Sequence, residues 1–409
     1  MQAGWNFRVL LAYGTLLLAG IQLSNVETVI PYIAEQLGSP GLVVALIVPG
    51  FTAGTLLGTA LGPKVLHIAR SVAGLLGGIA LAEAALTALI AVDVTLVPSR
   101  FVAYPLLLLC VLLGIAAGSL QVGWPLAMTA LLSARQRSSL LLRQNGFSAA
   151  LAIVITGFFA IHFLRDLLAW QDIYLLWVGV AAIVLCAVCC LALRTPGVEL
   201  AGQREPMLDT LRNGHSYLRT NPWLRRFLTI QLIFMSVIFS ATFYAIYAGE
   251  SLSAGDGYLD DLVVFYGVGL LTGIPLWTVV NRRLGARGMY AGGAAISVVA
   301  AIFCIVSLHW QLLPVLWTMG FALLLSAVAV QAIRPAAYDW VFSHASAEEM
   351  VMVISYSQIV SGLGAIFVSF VFSVAAGFGP RIWPLGLVLA LTGIACLAAT
   401  RVPRTTAKA

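Results

Sequence analysis

The stretch RTPGVELAGQREPMLDTLRNGHSYLRTNPWLRR, residues 194–226, is a long polar interval in a chain that is otherwise mostly apolar. It contains Pro196, Gly197, Pro206 and Pro222, residue types that interrupt helices and mark connecting segments. Long apolar runs lie on both sides of it. The interval therefore divides the chain into two halves.

The second part of this interval has the pattern of an amphipathic helix. Leu208, Leu211, Tyr217 and Leu218 recur at helical spacing, and basic residues occupy the other face. A helix of this kind lies in the plane of a membrane surface. We therefore expect it to form a strut along the inner face of the bilayer.

Composition indicates what the two halves are. Of the 409 residues, 61% are hydrophobic and only 9% are charged, whereas soluble domains carry about 25% charged residues. An apolar run of about 20 residues crosses a bilayer, and about twelve such runs are present. They lie near residues 9–34, 41–61, 71–93, 101–133, 144–164, 171–193, 227–249, 261–280, 289–309, 311–333, 350–377 and 382–400.

The placement of lysine and arginine predicts the orientation of these spans. If the N-terminus is cytoplasmic, only three of the 22 Lys and Arg residues lie on the outer side. They are Arg100, Arg165 and Arg381. This bias follows the positive-inside rule. It predicts a multi-pass protein of the cell (inner) membrane with both termini cytoplasmic. It also accounts for the net charge of +6 without a nucleic-acid partner.

The run after Arg8, VLLAYGTLLLAG, is compatible with a signal peptide or with a first membrane span. The apolar run continues well beyond signal-peptide length, and no clear cleavage site ends it. We therefore expect an uncleaved first span.

Six cysteines, Cys110, Cys186, Cys189, Cys190, Cys304 and Cys396, all fall inside predicted spans. Three of them are close together, but no His or Asp lies near enough in sequence to complete a metal site. Packing is the expected role of all six. We predict no disulfide, no metal and no cofactor.

The second span reads GFTAGTLLGTALG, with Gly50, Gly54, Gly58 and Gly62 at every fourth position. Glycines at this spacing share one helix face and let two backbones approach closely. We expect a tight helix–helix contact there, on which the helices also have room to slide.

Basic turns follow the second span (GPKVLHIAR, 62–70) and the eighth span (NRRLGAR, 281–287). Two matching six-span halves, a long central loop and these turns resemble the major facilitator superfamily over essentially the whole chain. The resemblance implies an all-α integral membrane fold with twelve transmembrane helices in two pseudo-symmetric six-helix bundles. The bundles are expected at 1–195 and 225–409, with a cytoplasmic loop at 196–224. NRRLGAR resembles the Asp-Arg-x-x-Gly-Arg turn of that family, which implies a gating loop of Asn281, Arg282, Arg283 and Arg287.

Two further stretches resemble exporters within that superfamily. LDTLRNGHSYLRTNPWLRRFL, 208–228, is similar to the loop before span seven in the branch that contains macrolide and enterobactin exporters. NVETVIP, 25–31, resembles the acid-then-proline pattern in span one of proton-coupled multidrug exporters. The arginine of span four and the Gly-Pro pair of span five that antiporters carry are both missing here.

Two carboxylates lie inside apolar spans, where a charge is costly. Glu27 is about 28 Å along the first helix from Arg8, which puts it in the outer half of the membrane. Glu83 is nearer the middle of the third span. Each is a candidate for proton coupling. The alternative for Glu27 is a structural carboxylate that is hydrogen-bonded to a neighbouring helix or reaches the outer interface, and the alternative for Glu83 is a packing contact or a contact between the two halves.

In the superfamily, spans one, four, seven and ten line the substrate cavity. The resemblance therefore implies a set of aromatic and amide side chains as substrate contacts. They are Tyr13, Gln22, Asn25, Gln121, Trp124, Gln231, Phe234, Tyr244, Tyr247, Trp317, Gln331, Arg334 and Tyr338. Arg334 faces either an anionic substrate or Asp339, or it extends to the inner membrane surface.

These features predict a secondary transporter that works by alternating access. The expected substrate is an amphipathic organic compound (a drug, a siderophore or a lipid-like molecule). We expect a monomer that exports this compound, driven by a proton gradient. The alternatives are an importer or facilitator of a small metabolite, and a non-transporting receptor on a transporter fold. No nucleophile–base pair, metal cluster or phosphate loop indicates an enzyme.

Overall fold

A computed structural model describes residues 2–68, 71–96, 99–132, 134–162, 173–194, 207–252, 258–345, 347–378 and 383–403. All regular secondary structure within these ranges is helical. The helices are α1 Gln2–Leu23, α2 Val29–Gln36, α3 Gly41–Ile68, α4 Val72–Leu96, α5 Ser99–Leu131, α6 Ala134–His162, α7 Tyr174–Cys189, α8 Met207–Thr220, α9 Pro222–Ser251, α10 Tyr258–Trp310, α11 Val315–His344, α12 Ala347–Phe378 and α13 Trp383–Ala399. A short 3-10 turn, Cys190–Ala192, follows α7.

Nine helices of the described ranges are long and apolar enough to cross a membrane. One of them, α10, has 53 residues and is interrupted at Gly285, whose φ is 61° and ψ is −160°. A positive φ of this size favours glycine over every other residue. The break falls inside the predicted basic turn NRRLGAR. At about 80 Å for 53 residues, α10 is long enough for two crossings, and the count of twelve stays a prediction.

The first predicted span is not one helix. We expected a continuous helix over 9–34, and this was wrong: α1 ends at Leu23 and α2 begins at Val29. Glu27 lies in the interruption and not on a helix face.

The contacts divide the chain into two units. Unit 1 comprises residues 1–204 and 253–264, and unit 2 comprises residues 205–252 and 265–409. The predicted boundaries at 195 and 225 stay a prediction. Residues 195–206, the first part of the predicted central loop, lie outside the described residues.

The tightest contact in unit 1 is between α3 and α5. A Cβ atom added at Gly54 would collide with the carbonyl oxygen of Val111, and one at Gly58 with that of Ile115. The facing helix is equally close, because a Cβ at Gly118 would collide with the carbonyl oxygen of Thr55. The predicted close approach along the glycine face is confirmed.

In unit 2, aromatic side chains fill the core between α9, α10 and α11. Trp277 donates from Nε1 to the carbonyl oxygen of Val328 at 2.7 Å. The Tyr290 ring packs edge-on against Phe234 and Trp340, with centroid distances of 4.8 and 6.2 Å.

The predicted amphipathic helix is α8, and it packs against unit 2. A Cβ at Gly214 would collide with the ring of Tyr356 on α12. Tyr217 packs edge-on against Trp223, with centroids 6.3 Å apart. The helix is confirmed, whereas the side chains of Leu208 and Leu211 lie outside the described residues.

Candidate functional site

Glu27 occupies a five-residue gap between two helices, in a chain segment that is apolar on both sides. The side chain of Asn25 accepts a hydrogen bond from the backbone N–H of Glu27 at 2.6 Å. The carbonyl oxygen of Asn25 accepts from the N–H groups of Val29 and Ile30, at 2.9 and 3.1 Å. The Glu27 side chain is half-buried. Discontinuous helices of this kind occur in transporters, at sites where backbone polar groups serve a ligand or an ion.

The sequence explains the interruption locally. In a continuous helix Pro31 has no N–H to offer the carbonyl oxygen of Glu27, and its ring would clash there. In the structure Pro31 is the third residue of α2, where an N–H has no helical partner in any case. Asn25 supplies the alternative bond, because a short amide side chain competes with the helix for backbone N–H groups.

Glu83 lies on the buried face of α4 and is 2% exposed. Neither carboxyl oxygen has a hydrogen-bond partner among the described residues. The side chains of Tyr13 on α1 and Cys186 on α7 contact each other, and both lie within electrostatic range of Glu83. Glu83 is therefore an acid sealed inside unit 1 without a compensating charge.

Asp93 is a third acid of this kind, and the sequence analysis missed it. It is on α4, 6% exposed, and its Oδ2 is buried without a partner among the described residues. It lies within electrostatic range of the Cys110 thiol on α5. The signal was a lone aspartate in ALIAVDVTL, close enough to the end of the span to pass as an interfacial residue.

The predicted substrate residues of unit 1 divide into buried and exposed members. Tyr13 has no accessible surface, stacks on Trp124 at 5.3 Å and donates to the carbonyl oxygen of Leu76 at 3.4 Å. Gln121 is exposed. Gln22 donates from Nε2 to Ser148 Oγ at 3.4 Å, while its Oε1 is buried without a partner in the described part of the chain.

A second glutamine, which the sequence analysis missed, ties α6 to α1. Gln144 is buried and donates from Nε2 to the carbonyl oxygen of Leu10 at 2.8 Å. Its side chain occupies the space that a Cβ at Gly14 would need. The crossing of α1 and α6 therefore depends on both residues.

Next to this crossing, α1 and α6 line an open surface groove of about 620 Å³. Its walls are apolar apart from Arg8 at one end and the Thr15 hydroxyl. The lining residues are Arg8, Leu11, Ala12, Thr15, Leu16, Phe147, Ala150, Leu151 and Val154. Pockets of 300–1,000 Å³ with mostly apolar walls and a few polar groups are typical of sites for drug-sized molecules.

In unit 2, four predicted substrate residues lie on α9. Gln231 accepts a hydrogen bond from the Tyr290 hydroxyl at 3.0 Å. Phe234 and Tyr244 have no accessible surface, and the Tyr244 hydroxyl has no partner among the described residues. Tyr247 is half-buried. Direct contact of Phe234 or Tyr244 with a substrate requires a conformation other than this one.

The remaining predicted substrate residues lie on α11. Gln331 donates from Nε2 to the carbonyl oxygen of Leu270 at 2.6 Å. Trp317 is 49% exposed and packs edge-on against Phe265. Arg334 is exposed. The side chain of Tyr338 lies outside the described residues.

The predicted gating residues surround the break at Gly285. Arg282 and Arg283 are exposed, and Arg287 is half-buried. Asn281, which stands where the family pattern has an acid, has a buried Oδ1 without a partner among the described residues. Their gating role stays a prediction.

Nine apolar helices of bilayer length among the described residues, the helix gap at Glu27 and the buried carboxyls of α4 are features of a multi-pass membrane transporter. The Major Facilitator Superfamily profile matches residues 12–369. The chain belongs to that superfamily. It is accordingly a transporter of small molecules and not an enzyme.

One known relative and two solved structures match the chain over nearly its whole length. The chain is 29% identical over 406 residues to the uncharacterized protein Rv2209 of Mycobacterium tuberculosis, covering 97% of this chain and 77% of that protein. A variant of the nucleoside transporter NupG matches with a TM-score of 0.70 and 13% identity over 97% of this chain and 98% of that one. The xylose transporter XylE of E. coli, partially occluded and inward-open, matches with a TM-score of 0.68 and 16% identity over 99% of both chains. At these identities the two structures show the fold alone.

Proposed function

We propose that this chain is a proton-coupled exporter of an amphipathic organic compound that works by alternating access. The observation that carries the proposal is Glu83, a carboxyl that is 2% exposed and has no hydrogen-bond partner for either oxygen among the described residues. A proton-coupled transporter needs a group whose protonation differs between its conformations, and Glu83 has the surroundings for this.

Burial makes the ionised form of Glu83 costly. An ionised carboxylate without a partner is expensive in hydrocarbon, by roughly 2.5–3.5 kcal/mol or more. The conformation described here therefore favours a neutral Glu83. A second conformation that admits water to Glu83 favours the anion. A proton gradient shifts the equilibrium between two conformations that differ in proton affinity, and the shift grows with that difference.

Glu27 is the second proton-coupling candidate. It lies in the gap between α1 and α2 and is half-buried, so its ionised form has better access to water than that of Glu83, which is 2% exposed. A carboxylate there suits release or uptake of a proton at the outer side, on the predicted topology.

The groove between α1 and α6 supports the substrate class. Its apolar walls suit the hydrophobic part of a ligand, and Arg8 at its end suits an anionic or polar group. Arg8 precedes the first span, so this end of the groove faces the cytoplasm on the predicted topology. A compound taken up here would enter from the cytoplasmic side, as export requires.

The test begins with a ligand. Purified protein is screened for thermal stabilisation by drugs, siderophores and lipids, and the best stabiliser becomes the substrate for counterflow in proteoliposomes. Proton-coupled export predicts counterflow without a gradient and accumulation only with one. Glu83→Gln is expected to keep counterflow and lose gradient-driven accumulation, with Glu27→Gln measured beside it and Asp261→Asn, an exposed site on α10, as the matched control.

The same measurements separate the alternatives. Counterflow in wild-type protein without any accumulation under a pH gradient identifies a facilitator and contradicts proton coupling. Binding without any counterflow identifies a non-transporting receptor. Full gradient-driven transport by the Glu83→Gln variant eliminates Glu83 as the coupling residue.

A further inference from the structure

One buried face of α4 carries three polar side chains in an otherwise apolar surface. They are Glu83, Thr87 and Asp93, which are 2%, 1% and 6% exposed. Thr87 is one turn beyond Glu83 and donates its hydroxyl hydrogen to the carbonyl oxygen of Glu83 at 2.8 Å. Asp93 is between one and two turns further on. No polar residue other than these three is buried on α4.

The polar side chains of α4 bear on how the buried Glu83 carboxyl exchanges its proton. A carboxyl sealed inside a bundle exchanges its proton only through a path of groups or waters that reaches the surface. On the predicted topology the C-terminal end of α4, where Asp93 lies, is at the outer face of the membrane. Asp93 has one carboxyl oxygen buried without a partner among the described residues.

We propose that Asp93 is the outer entry point of a proton path that runs along α4 past Thr87 to Glu83. The inference rests on the proposed proton coupling through Glu83. Asp93 in its protonated form passes its proton inward and is then reprotonated from the outer solution. Thr87 accepts a proton on its hydroxyl oxygen and releases its own hydrogen toward Glu83. Each intermediate group is thereby restored, and one proton is gained by Glu83.

The spacing determines what else the path needs. Along the helix axis Thr87 is about 6 Å from Glu83 and about 9 Å from Asp93. These separations exceed a direct hydrogen bond, so bridging waters must complete the path when it conducts. A conformational opening that admits those waters makes the path conditional, which prevents a constant proton leak.

The groups that face the path from neighbouring helices are weak acids. Tyr13 of α1 and Cys186 of α7 face Glu83, and Cys110 of α5 faces Asp93. Among the described residues no lysine or arginine acts on either carboxyl. Neither acid is therefore held as a permanent anion by an ion pair, and both are free to change protonation.

The experiment compares Asp93→Asn, Asp93→Glu, Thr87→Val and Thr87→Ser in proteoliposomes, with the substrate found in the stability screen. The pH is varied on one side at a time, and both gradient-driven transport and gradient-free counterflow are recorded. Asp93→Asn is expected to slow gradient-driven transport about tenfold. Loss of a proton-transferring side chain slows the proton-transfer step itself by roughly a hundredfold. The effect on transport is smaller because conformational steps also limit the rate of the cycle. Counterflow should be unchanged, and the dependence on outer pH should flatten.

The conservative variants distinguish proton transfer from packing. Asp93→Glu and Thr87→Ser retain the exchanging groups and should restore most of the rate, whereas Thr87→Val keeps the shape and should slow it. If wild type is proton-coupled and Glu83→Gln is uncoupled, but Asp93→Asn shows the wild-type outer-pH profile, the path through Asp93 is wrong. If wild type shows no proton coupling, it is the proposed function that fails.

Discussion

The side chain of Asn25 accepts a hydrogen bond from the backbone N–H of Glu27, with Oδ1 2.6 Å from the nitrogen. This bond closes the turn that separates α1 from α2. It determines where the Glu27 carboxyl can point, because the peptide that carries Glu27 is anchored two residues earlier. The charge at position 27 therefore belongs to a turn, and one amide side chain helps to hold the backbone of that turn.

Replacing Asn25 by alanine is expected to destabilise this turn by about 0.5–2 kcal/mol, the range measured for comparable side-chain caps of backbone N–H groups. Asn25→Asp keeps an acceptor oxygen and should cost less. Thermal unfolding in detergent measures the difference, and transport measures its effect on Glu27. Equal stability of Asn25→Ala and wild type would show that the turn is held by Pro31 and the flanking helices.

The α3–α5 contact makes a sharper prediction. Gly58→Leu places a side chain where the carbonyl oxygen of Ile115 lies, so the two backbones must separate, and such overpacking typically costs about 1–3 kcal/mol or more. The matched control is Gly78→Leu on α4, because nothing lies within 4 Å of a Cβ there. The melting temperature should fall for Gly58→Leu and stay the same or rise for the control.

Unchanged stability of Gly58→Leu would mean that α3 and α5 separate without loss. That outcome would favour a sliding contact over a fixed one. The next quantity to measure would then be the change in melting temperature of this variant when substrate is added.

Much of the fold was predictable because it depends on patterns that repeat. Apolar runs of bilayer length, a glycine at every fourth position and a basic turn with one glycine each have a physical cause that extends over several residues. A close approach on the glycine face of α3 and a turn at 281–287, where the break at Gly285 lies, were both expected. The identity of the partner helix, α5, was not. The helix α8 followed from its amphipathic spacing for the same reason.

The candidate site was less predictable because it depends on single contacts between distant segments. Tyr13 was expected to line a cavity, yet it stacks on Trp124 and has no accessible surface. Asp93 was overlooked because its burial comes from packing against α5, which no local pattern reports. The gap at Glu27 was visible only in part: Pro31 was noted, but the competition of Asn25 for the backbone N–H was not.

The groove between α1 and α6 predicts a dependence on ligand charge. Arg8→Gln removes the one charged group that lines the groove among the described residues. It should weaken the binding of anionic ligands from the stability screen more than that of neutral ones, because a charge-assisted contact is lost. Val154→Trp fills the groove and should weaken both kinds. The matched control is Leu81→Trp, at a residue of α4 that is 54% exposed.

Titration calorimetry or ligand-dependent thermal shift measures these affinities. If Val154→Trp and Leu81→Trp bind every stabilising ligand equally well, the groove is not the ligand site. If Arg8→Gln weakens neutral and anionic ligands alike, Arg8 contributes to the shape of the groove and not through its charge.

The contact between α8 and α12 predicts a loss of stability at high pH. Burial, together with a hydrogen bond to the Glu349 carboxylate, raises the pKa of Tyr217 above its ordinary value of 10.0. Because the folded state holds this proton more tightly than the unfolded state, the stabilisation is complete below about pH 10. It is lost as the pH rises through the higher pKa of the folded state.

Tyr217→Phe should therefore lower stability by about 1 kcal/mol at neutral pH, where the hydrogen bond is missing, and should remove part of the alkaline decline. Melting temperatures recorded across this pH range, with Tyr104→Phe as the control at a tyrosine that is 60% exposed, test both effects. An alkaline decline that is identical in Tyr217→Phe and wild type would show that the phenol of Tyr217 does not hold α8 on α12.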